Sequence, residues 1–239
     1  MSELCVYLDW DSAFFHRRIA RVTVNRLTRE QGDLVRAWCA AEWIDCLYFL
    51  ADSDDAETVE TAEANHFKFV DIRLTLEHSG DCPPQPTSVR TAQASDLPAL
   101  KAIARLNHRD TRFYYDGHFS VDECDALYET WIERSYEGFA DVVLVAERDG
   151  RIAGYVTCNQ RENSGSIGLL GVGSEWQGQR IGPGLINAAL SWFKERGIER
   201  VQVVTQGRNV RAQRAYQRCG FISAQVQLWY HHWFERTDG

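Results

Sequence analysis

The segment that most constrains the fold is glycine-rich and runs from Gly168 to Gly184. It reads GLLGVGSEWQGQRIGPG, an apolar strand-like stretch followed by a turn, and it leads into a helical pattern with Leu185, Ile186 and Ala189 on one face. A strand, a glycine turn and a helix start in this order direct unpaired backbone N–H groups and the positive helix end toward one point. Such a point binds anions, most often a phosphate group.

A second pattern follows from Asn209 to Phe221. It is spaced Asn209-x-x-Ala212-x-x-x-Tyr216-x-x-x-Gly220-Phe221, after an apolar strand. Asn209 begins a helix, and Tyr216 lies on a face of that helix. The two patterns together indicate a cofactor that carries a pyrophosphate, with an acid–base side chain beside its reactive end.

Three phosphate-binding motifs compete for the glycine-rich segment. A Walker loop requires Gly-Lys-Ser/Thr, which this segment lacks, and a dinucleotide fingerprint lacks its third glycine because Glu175 or Trp176 stands near that place. The third motif is the Gln/Arg-x-x-Gly-x-Gly/Ala loop of the GNAT acyltransferases. The register 179–184 satisfies it literally, whereas the register usual in that family is 177–182, with Arg180 in place of a glycine.

With the second pattern at the expected distance, the chain resembles the GNAT superfamily over roughly residues 89–234. The resemblance implies an α/β (α+β) fold with a mixed, mostly antiparallel sheet flanked by helices, and acetyl-coenzyme A as cofactor. The cofactor contacts that it implies are Leu170, Val172, Gln177, Gly178, Gln179, Arg180, Ile181, Gly182, Gly184, Asn209, Ala212 and Tyr216.

Each part of this segment has a physical role in such a site. Backbone N–H groups across residues 177–184 can surround a pyrophosphate, and the strand ending at Gly173 can splay from its neighbour to pair with the pantetheine arm. An N–H near Leu170 or Val172 can polarise the thioester carbonyl. Tyr216 is the candidate acid for the departing thiolate, a transfer that is uphill by roughly 2 kcal/mol from ordinary pKa values. The alternative is a tyrosine that only anchors its helix.

Four arginines, at positions 208, 211, 214 and 218, recur on one face of the second helix. Such a stripe is usually solvated, and the alternative is that one or two of them meet the 3′-phosphate of coenzyme A.

The preceding part of the chain predicts a separate domain. Residues 1–78 alternate short strands and helices, and Thr28 with Gln31 predicts a capping box. Residues 81–87 contain prolines and predict a linker between an N-terminal α/β domain (1–80) and the acetyltransferase domain (88–239). In the second domain, we expect Ser95 to cap a helix and residues 108–116 to form a loop.

A narrower resemblance extends over nearly the whole chain. The stretches 8–15, 67–71 and 111–113 are similar to those of the dTDP-4-amino-4,6-dideoxygalactose (TDP-fucosamine) N-acetyltransferases, which also carry an added N-terminal α/β domain. The resemblance implies acetylation of the 4-amino group of a nucleotide-linked dideoxy sugar for surface polysaccharide synthesis, with the N-terminal domain contributing to the substrate site.

This resemblance also implies substrate-side roles for particular residues. Asp71 falls where that family carries a glutamate thought to help deprotonate the amine through water, and the alternative is a solvent-facing carboxylate. Arg112, with Arg109 nearby, can hold the diphosphate, and Phe113, Tyr114 and Tyr115 can line the sugar or base pocket. The alternative for this segment is a loop with surface arginines that packs on the core.

The composition of the chain limits the classes of partner that the protein can bind. The net charge of −8 argues against nucleic acid as a partner, although residues 200–234 contain five arginines and no acidic residue. No apolar run approaches the ~20 residues that span a bilayer, and the N-terminus shows no export signal. Seven scattered cysteines predict reduced thiols and a cytoplasmic protein. His231 and His232 point to opposite faces of a strand, so no metal site is expected.

Three functions stay open at this point: the amino-sugar acetyltransferase, a GNAT enzyme for another small amine or a protein N-terminus, and a coenzyme A-binding module without catalysis. The sequence also leaves open a homodimer.

Overall fold

The computed structural model describes residues 4–80 and 89–234, which form two compact units. Unit 1 contains the residues up to Arg73 and those from Val226 on, and unit 2 is Leu74–Gln225. The predicted linker, residues 81–87, lies outside the described residues. The units differ from the predicted domains in that the residues after Gln225 group with the N-terminal part of the chain. The boundaries fall inside two strands, β4 (Lys68–Ser79) and β10 (Ile222–Trp233).

Unit 1 is a small α/β layer. Its strands are β1 (Cys5–Tyr7), β2 (Ile19–Val22), β3 (Cys46–Asp52) and the C-terminal part of β10, and its helices are α1 (Asp9–Phe15), α2 (Arg29–Ala41) and α3 (Ala56–Ala64). The strand order is β1-β2-β3-β10, and only the β2–β3 pair among these is parallel. The predicted capping box of α2 is confirmed: Gln31 N–H donates to the Thr28 hydroxyl, and Thr28 N–H donates to Gln31 Oε1.

Unit 2 is an antiparallel meander extended by parallel pairing. Its elements are β5 (Val89–Thr91), α4 (Leu97–Asn107), α5 (Arg112–Asp116), α6 (Val121–Arg134), β6 (Val142–Arg148), β7 (Arg151–Arg161), β8 (Ser164–Val172), α7 (Ile181–Lys194), β9 (Arg200–Gln206) and α8 (Val210–Arg218). The strand order is β4-β9-β8-β7-β6-β5, in which β5 to β8 pair antiparallel and β8 pairs with β9 in parallel. The predicted fold class, a mixed and mostly antiparallel sheet with helices, is confirmed.

The core of unit 2 lies between this sheet and α7. Leu185, Ile186, Ala189, Leu190 and Phe193 on the predicted apolar face are all fully buried. The helix extends from Ile181 to Lys194, and Gly197 follows it in the left-handed conformation at φ 73°. Because α7 is fixed by this core, its N-terminus is held rigidly at the end of the turn that follows β8.

Two local predictions in unit 2 are wrong. Ser95 does not cap α4, because the Asp96 carboxylate accepts the Gln93 N–H at 2.8 Å and is ion-paired with Arg90, so the chain makes a short 3₁₀ turn first. The segment 108–116 is not entirely a loop, because α5 forms within it. Phe113 is buried at 1% exposure against the ring of Phe119, which favours the helical turn.

Two further features of the described chain bear on the predictions. Its six cysteines are all free thiols. None of the helices in residues 4–80 and 89–234 combines the length and the apolar character that a membrane crossing requires.

Candidate active site

The edge of β8 opens toward its C-terminal end. β8 and β9 pair in parallel from Ser164–Arg200 to Ile167–Val203, whereas β8 continues to Val172 against β7 alone. The register between β7 and β8 shifts between Val156 and Cys158, where the Thr157 hydroxyl accepts the Leu169 N–H at 2.8 Å. This bulge and the end of the parallel pairing leave one edge of residues 168–172 facing a gap, as the predicted splaying of this strand from its neighbour requires.

The hydrogen-bond alternation of β8 shows which N–H groups face that gap. Gly173 N–H donates to Ala153 O at 2.9 Å, so the backbone N–H groups of the odd-numbered residues in this part of β8 point toward β7. Leu170 and Val172 therefore direct their N–H groups to the opposite, open edge. Val172 N–H is held by the side-chain oxygen of Asn107 at 3.0 Å. Of the two predicted thioester-polarising donors, Val172 is thus engaged by the protein itself, and Leu170 is the one directed into the gap.

The turn between β8 and α7 contains a residue with a glycine-like backbone conformation. Arg180 is the N-cap of α7 and has φ 63° and ψ 14°, the left-handed conformation that glycine adopts most readily. This is the position at which the family pattern has glycine in the register 177–182. Arg180 makes no side-chain cap to α7, so the N–H groups of the first turn are not satisfied by a capping side chain.

A cavity of about 260 Å³ lies between β8, this turn and α8. Nine of the twelve predicted cofactor contacts line it, namely Leu170, Val172, Gln177, Gly178, Arg180, Ile181, Gly182, Asn209 and Ala212. The three that do not are Gln179, which donates to Glu175 O, Gly184, which lies in the first turn of α7, and Tyr216. The structure thus brings most of the predicted set to one place.

The cavity lining matches an anionic ligand with an extended arm. Arg180, Arg211 and Arg218 belong to it, and within the described residues no carboxylate does. A Cβ atom added at Gly178 would meet no atom within 4 Å, so the glycine leaves space for a ligand to approach the backbone. Together with the open edge of β8, this arrangement fits the pyrophosphate and pantetheine of acetyl-coenzyme A.

Helix α8 forms the far wall of the cavity. The Asn209 side chain accepts the Ala212 N–H at 3.0 Å and so caps the helix. Tyr216 is 5% exposed and packs against Phe221, and burial raises the pKa of its hydroxyl well above the ordinary value. Of the four stripe arginines, Arg211 and Arg218 line the cavity, and Arg211 also hydrogen-bonds Gln177.

The predicted substrate loop is tied to α6. Arg109 Nη2 and the Tyr114 hydroxyl lie 3.1 Å and 2.7 Å from Asp125 Oδ1, and Arg109 also covers the Tyr114 ring. Arg112 covers the ring of Phe113, which is buried. Arg109 and Tyr114 thus share the Asp125 carboxylate, Arg112 lies over Phe113, and none of these four residues is among those that line the 260 Å³ cavity.

Asp71 lies in the unit 1 part of β4. It is 2% exposed, so the alternative of a solvent-facing carboxylate is wrong. Its Oδ1 accepts the N–H of Ile72 at 2.9 Å. The Asp71 carboxylate is therefore buried and hydrogen-bonded within the chain.

Among the cavity residues that sequence reasoning missed are Asn107 and His108, at the end of α4. Asn107 holds Val172, and His108 Nε2 lies 3.0 Å from the hydroxyl of Tyr155. Their partners are 65 and 47 residues away in the chain, so no local spacing pattern indicated them. The only signal was the polar pair Asn107-His108 at the end of an apolar helix.

Comparisons with known proteins agree with this geometry. The acetyltransferase (GNAT) family profile matches residues 100–221. The spore coat polysaccharide biosynthesis protein SpsD of Bacillus subtilis is 29% identical over 94% of this chain and 81% of its own length. The dTDP-fucosamine acetyltransferase of Escherichia coli is 27% identical over 93% of this chain and 95% of its own.

A solved structure supports the fold independently. The GCN5-related N-acetyltransferase of Sphaerobacter thermophilus superposes with a TM-score of 0.65 at 16% identity, over 96% of this chain and 76% of that one. At this identity the likeness shows the fold alone.

Proposed function

The chain belongs to the acetyltransferase (GNAT) family, whose members use acetyl-coenzyme A, and we propose that its acceptor is the 4-amino group of a nucleotide-linked dideoxy amino sugar. The observation that carries this proposal is the extent of the similarity to two relatives. Both span more than nine tenths of this chain, including unit 1, and both are named for sugar or polysaccharide chemistry. We propose that the product serves surface polysaccharide synthesis and that the enzyme acts in the cytoplasm.

Acetyl-coenzyme A supplies the acetyl group as an activated thioester. We assign its pyrophosphate to the first-turn N–H groups of α7, with Arg180, Arg211 or Arg218 adding charge. Leu170 N–H, directed into the gap beside β8, is the donor that we assign to the thioester carbonyl.

On the leaving-group side, we assign Tyr216. Because burial raises the pKa of its hydroxyl, the group stays protonated and offers its proton to the departing sulfur. The same shift makes proton transfer more uphill than it is between an ordinary phenol and a thiol, so much of its contribution is hydrogen-bond donation that orients the sulfur.

On the acceptor side, the assigned residues come from separate parts of the chain. Arg109, Arg112, Phe113 and Tyr114 are assigned to the nucleotide sugar, and the Asp125 carboxylate fixes the positions of Arg109 and Tyr114. Asp71 is assigned, through the family resemblance, to proton transfer from the amine by way of water.

The test is a thiol-release assay on the full chain with a panel of acceptors. dTDP- and UDP-linked 4-amino sugars are compared with polyamines, free amino sugars and peptides with a free N-terminus, all with acetyl-coenzyme A. We expect kcat/KM to be highest for one of the nucleotide-linked 4-amino sugars. Turnover confined to another amine would defeat the acceptor assignment and leave the acetyltransferase activity in place. Absence of thiol release with every amine would favour a coenzyme A-binding module.

A further inference from the structure

Strand β8 carries one residue more than its partner β7 at the point where the gap begins. Between two consecutive cross-strand pairs, β7 contributes Thr157 alone, whereas β8 contributes both Gly168 and Leu169. Two residues opposite one form a β-bulge, and the extra residue belongs to β8. The Leu169 N–H donates to the Thr157 hydroxyl at 2.8 Å, so a side chain takes part in the strand pairing at this point.

Two glycines of β8 accommodate side chains of β7 at this bulge. A Cβ atom added at Gly168 would lie 2.7 Å from Thr157 Oγ1, and one added at Gly171 would lie 2.7 Å from the ring of Tyr155. Thr157 and Tyr155 are two residues apart and share a face of β7, whereas residues three apart on a regular strand face opposite sides. The extra residue brings both glycines to the same face. Thr157 is 1% exposed, so its hydroxyl fills the space that Gly168 leaves.

The bulge determines which amides of β8 face the gap. In an antiparallel pair, the N–H groups of alternate residues point to the partner strand. Beyond the bulge, the bond from Gly173 N–H to Ala153 O directs the odd-numbered N–H groups to β7. Without the extra residue this alternation would be one position out of step, so that Leu170 would direct its N–H to β7 and Leu169 would direct its own into the gap. The bulge therefore makes Leu170 the donor at the open edge.

From this geometry we propose that Thr157 is a positioning residue for acetyl transfer, acting through the bulge on the Leu170 N–H. The proposal deepens, and rests on, the assignment of that N–H to the thioester carbonyl. The Thr157 hydroxyl holds the N–H of Leu169, and the peptide group that follows Leu169 contains the Leu170 N–H. Thr157 does not line the cofactor cavity, so its effect passes through the backbone. A donor fixed before the cofactor binds needs no rearrangement during the reaction.

The central experiment compares Thr157→Val with wild type, using whichever amine the acceptor panel identifies. Valine has nearly the shape of threonine but cannot accept the Leu169 N–H. We expect kcat to fall by about tenfold to 100-fold, because the Leu170 N–H is no longer held at the carbonyl. Free coenzyme A has a thiol in place of the thioester, so its Kd, measured by calorimetry, stays within about twofold of wild type. Thr157→Ser keeps the hydroxyl and should restore kcat to within about threefold of wild type.

Two further variants make the result specific. Thr75→Val makes the same change at a buried threonine of β4, which β9 separates from β8, and we expect kcat to stay within about twofold of wild type. Gly168→Ala keeps the Thr157 hydroxyl in the chain but crowds it with a methyl group. We expect Gly168→Ala to lower kcat as Thr157→Val does, and it tests the proposal if Thr157→Val does not fold.

A readout without any acceptor separates this proposal from the proposed function. In amide ¹H–¹⁵N spectra, acetyl-coenzyme A should move the Leu170 proton signal downfield relative to coenzyme A in wild type and in Thr157→Ser. In Thr157→Val this difference between the two ligands should be lost.

Three results would overturn the proposal. The first is a kcat of Thr157→Val within about threefold of wild type, and the second is a Leu170 signal that responds in Thr157→Val as it does in wild type. The third is an equal loss of kcat and of coenzyme A affinity, which would show that Thr157 only supports the fold of the site. Absence of a Leu170 response in wild type would defeat the assignment of Leu170 and this proposal with it. Preference for an amine other than a nucleotide sugar defeats only the acceptor assignment.

Discussion

At the scale of single residues, Arg180 is the most informative position. It occupies the left-handed region at φ 63°, directly before helix α7, to whose first turn we assign the pyrophosphate. A non-glycine residue pays about 1 kcal/mol or somewhat more in this conformation, relative to glycine. The guanidinium lines the cavity, so charge toward the ligand is one physical reason for retaining arginine there.

The substitution Arg180→Gly separates these two effects. We expect the free energy of unfolding to change by less than about 1 kcal/mol, because relief of the left-handed strain is opposed by the greater freedom of glycine in the unfolded chain. The coenzyme A Kd should rise, by about threefold to tenfold, because one positive charge leaves the cavity. Urea denaturation and calorimetric titration measure the two quantities. As a control, Arg148→Gly removes an arginine that does not line the cavity. An unchanged coenzyme A Kd in Arg180→Gly would mean that the side chain points away from the bound ligand.

Residue-scale features were predictable where they depend on neighbours in sequence. The Thr28–Gln31 capping box and the Asn209 cap each join residues three positions apart, and both form as expected. Asn107 and His108 escaped prediction because their partners, Val172 and Tyr155, come from strands far along the chain. The prediction that Ser95 caps α4 is wrong for a related reason. Arg90, on the preceding strand, forms an ion pair with Asp96, and this pair determines where the helix begins.

At the scale of elements, the site depends on how the two edges of β8 are paired. One edge pairs with β7 throughout, whereas the other loses β9 after Ile167. The glycines that permit the loss of pairing are visible in the sequence. The bulge at Thr157, whose hydroxyl accepts the Leu169 N–H, is not. The separation of β8 from β9 is therefore a property of three strands together, which no single segment reveals.

This geometry predicts that acetyl-coenzyme A, which carries the thioester carbonyl, affects the amides of Leu170 and Val172 differently. On binding, amide hydrogen exchange of Leu170 should slow by at least about tenfold, because its N–H gains an acceptor while it lies at the open edge. Val172, already bonded to Asn107, should change less and serves as the internal reference. In Asn107→Ala the Val172 amide should exchange faster in the free protein. Equal slowing at both positions would show that binding stiffens the whole strand and that Leu170 has no special contact.

At the scale of the whole molecule, each unit carries its own apolar core, one around Phe49 and Tyr230 and the other around Leu190 and Phe193. The cavity and the residues assigned to the cofactor belong to unit 2 alone. Both units contain histidines with pKa values lowered by burial: His232 in unit 1, and His78 and His108 in unit 2. Their burial in the neutral form links the stability of the fold to pH.

The sign of this pH dependence follows from proton binding in the folded and the unfolded chain. The unfolded chain binds protons at these histidines near pH 6.5, whereas folded His108 binds one only near pH 4. Protons therefore favour the unfolded chain, and the contribution present above pH 6.5 is lost as the pH falls toward 4. Urea denaturation should show a decreasing free energy of unfolding from about pH 6.5 to 4.5, by at most about 1.4 kcal/mol per pH unit for each such histidine. His108→Gln should flatten this dependence. A slope unchanged in His108→Gln would mean that burial does not lower the pKa of His108 in the folded protein.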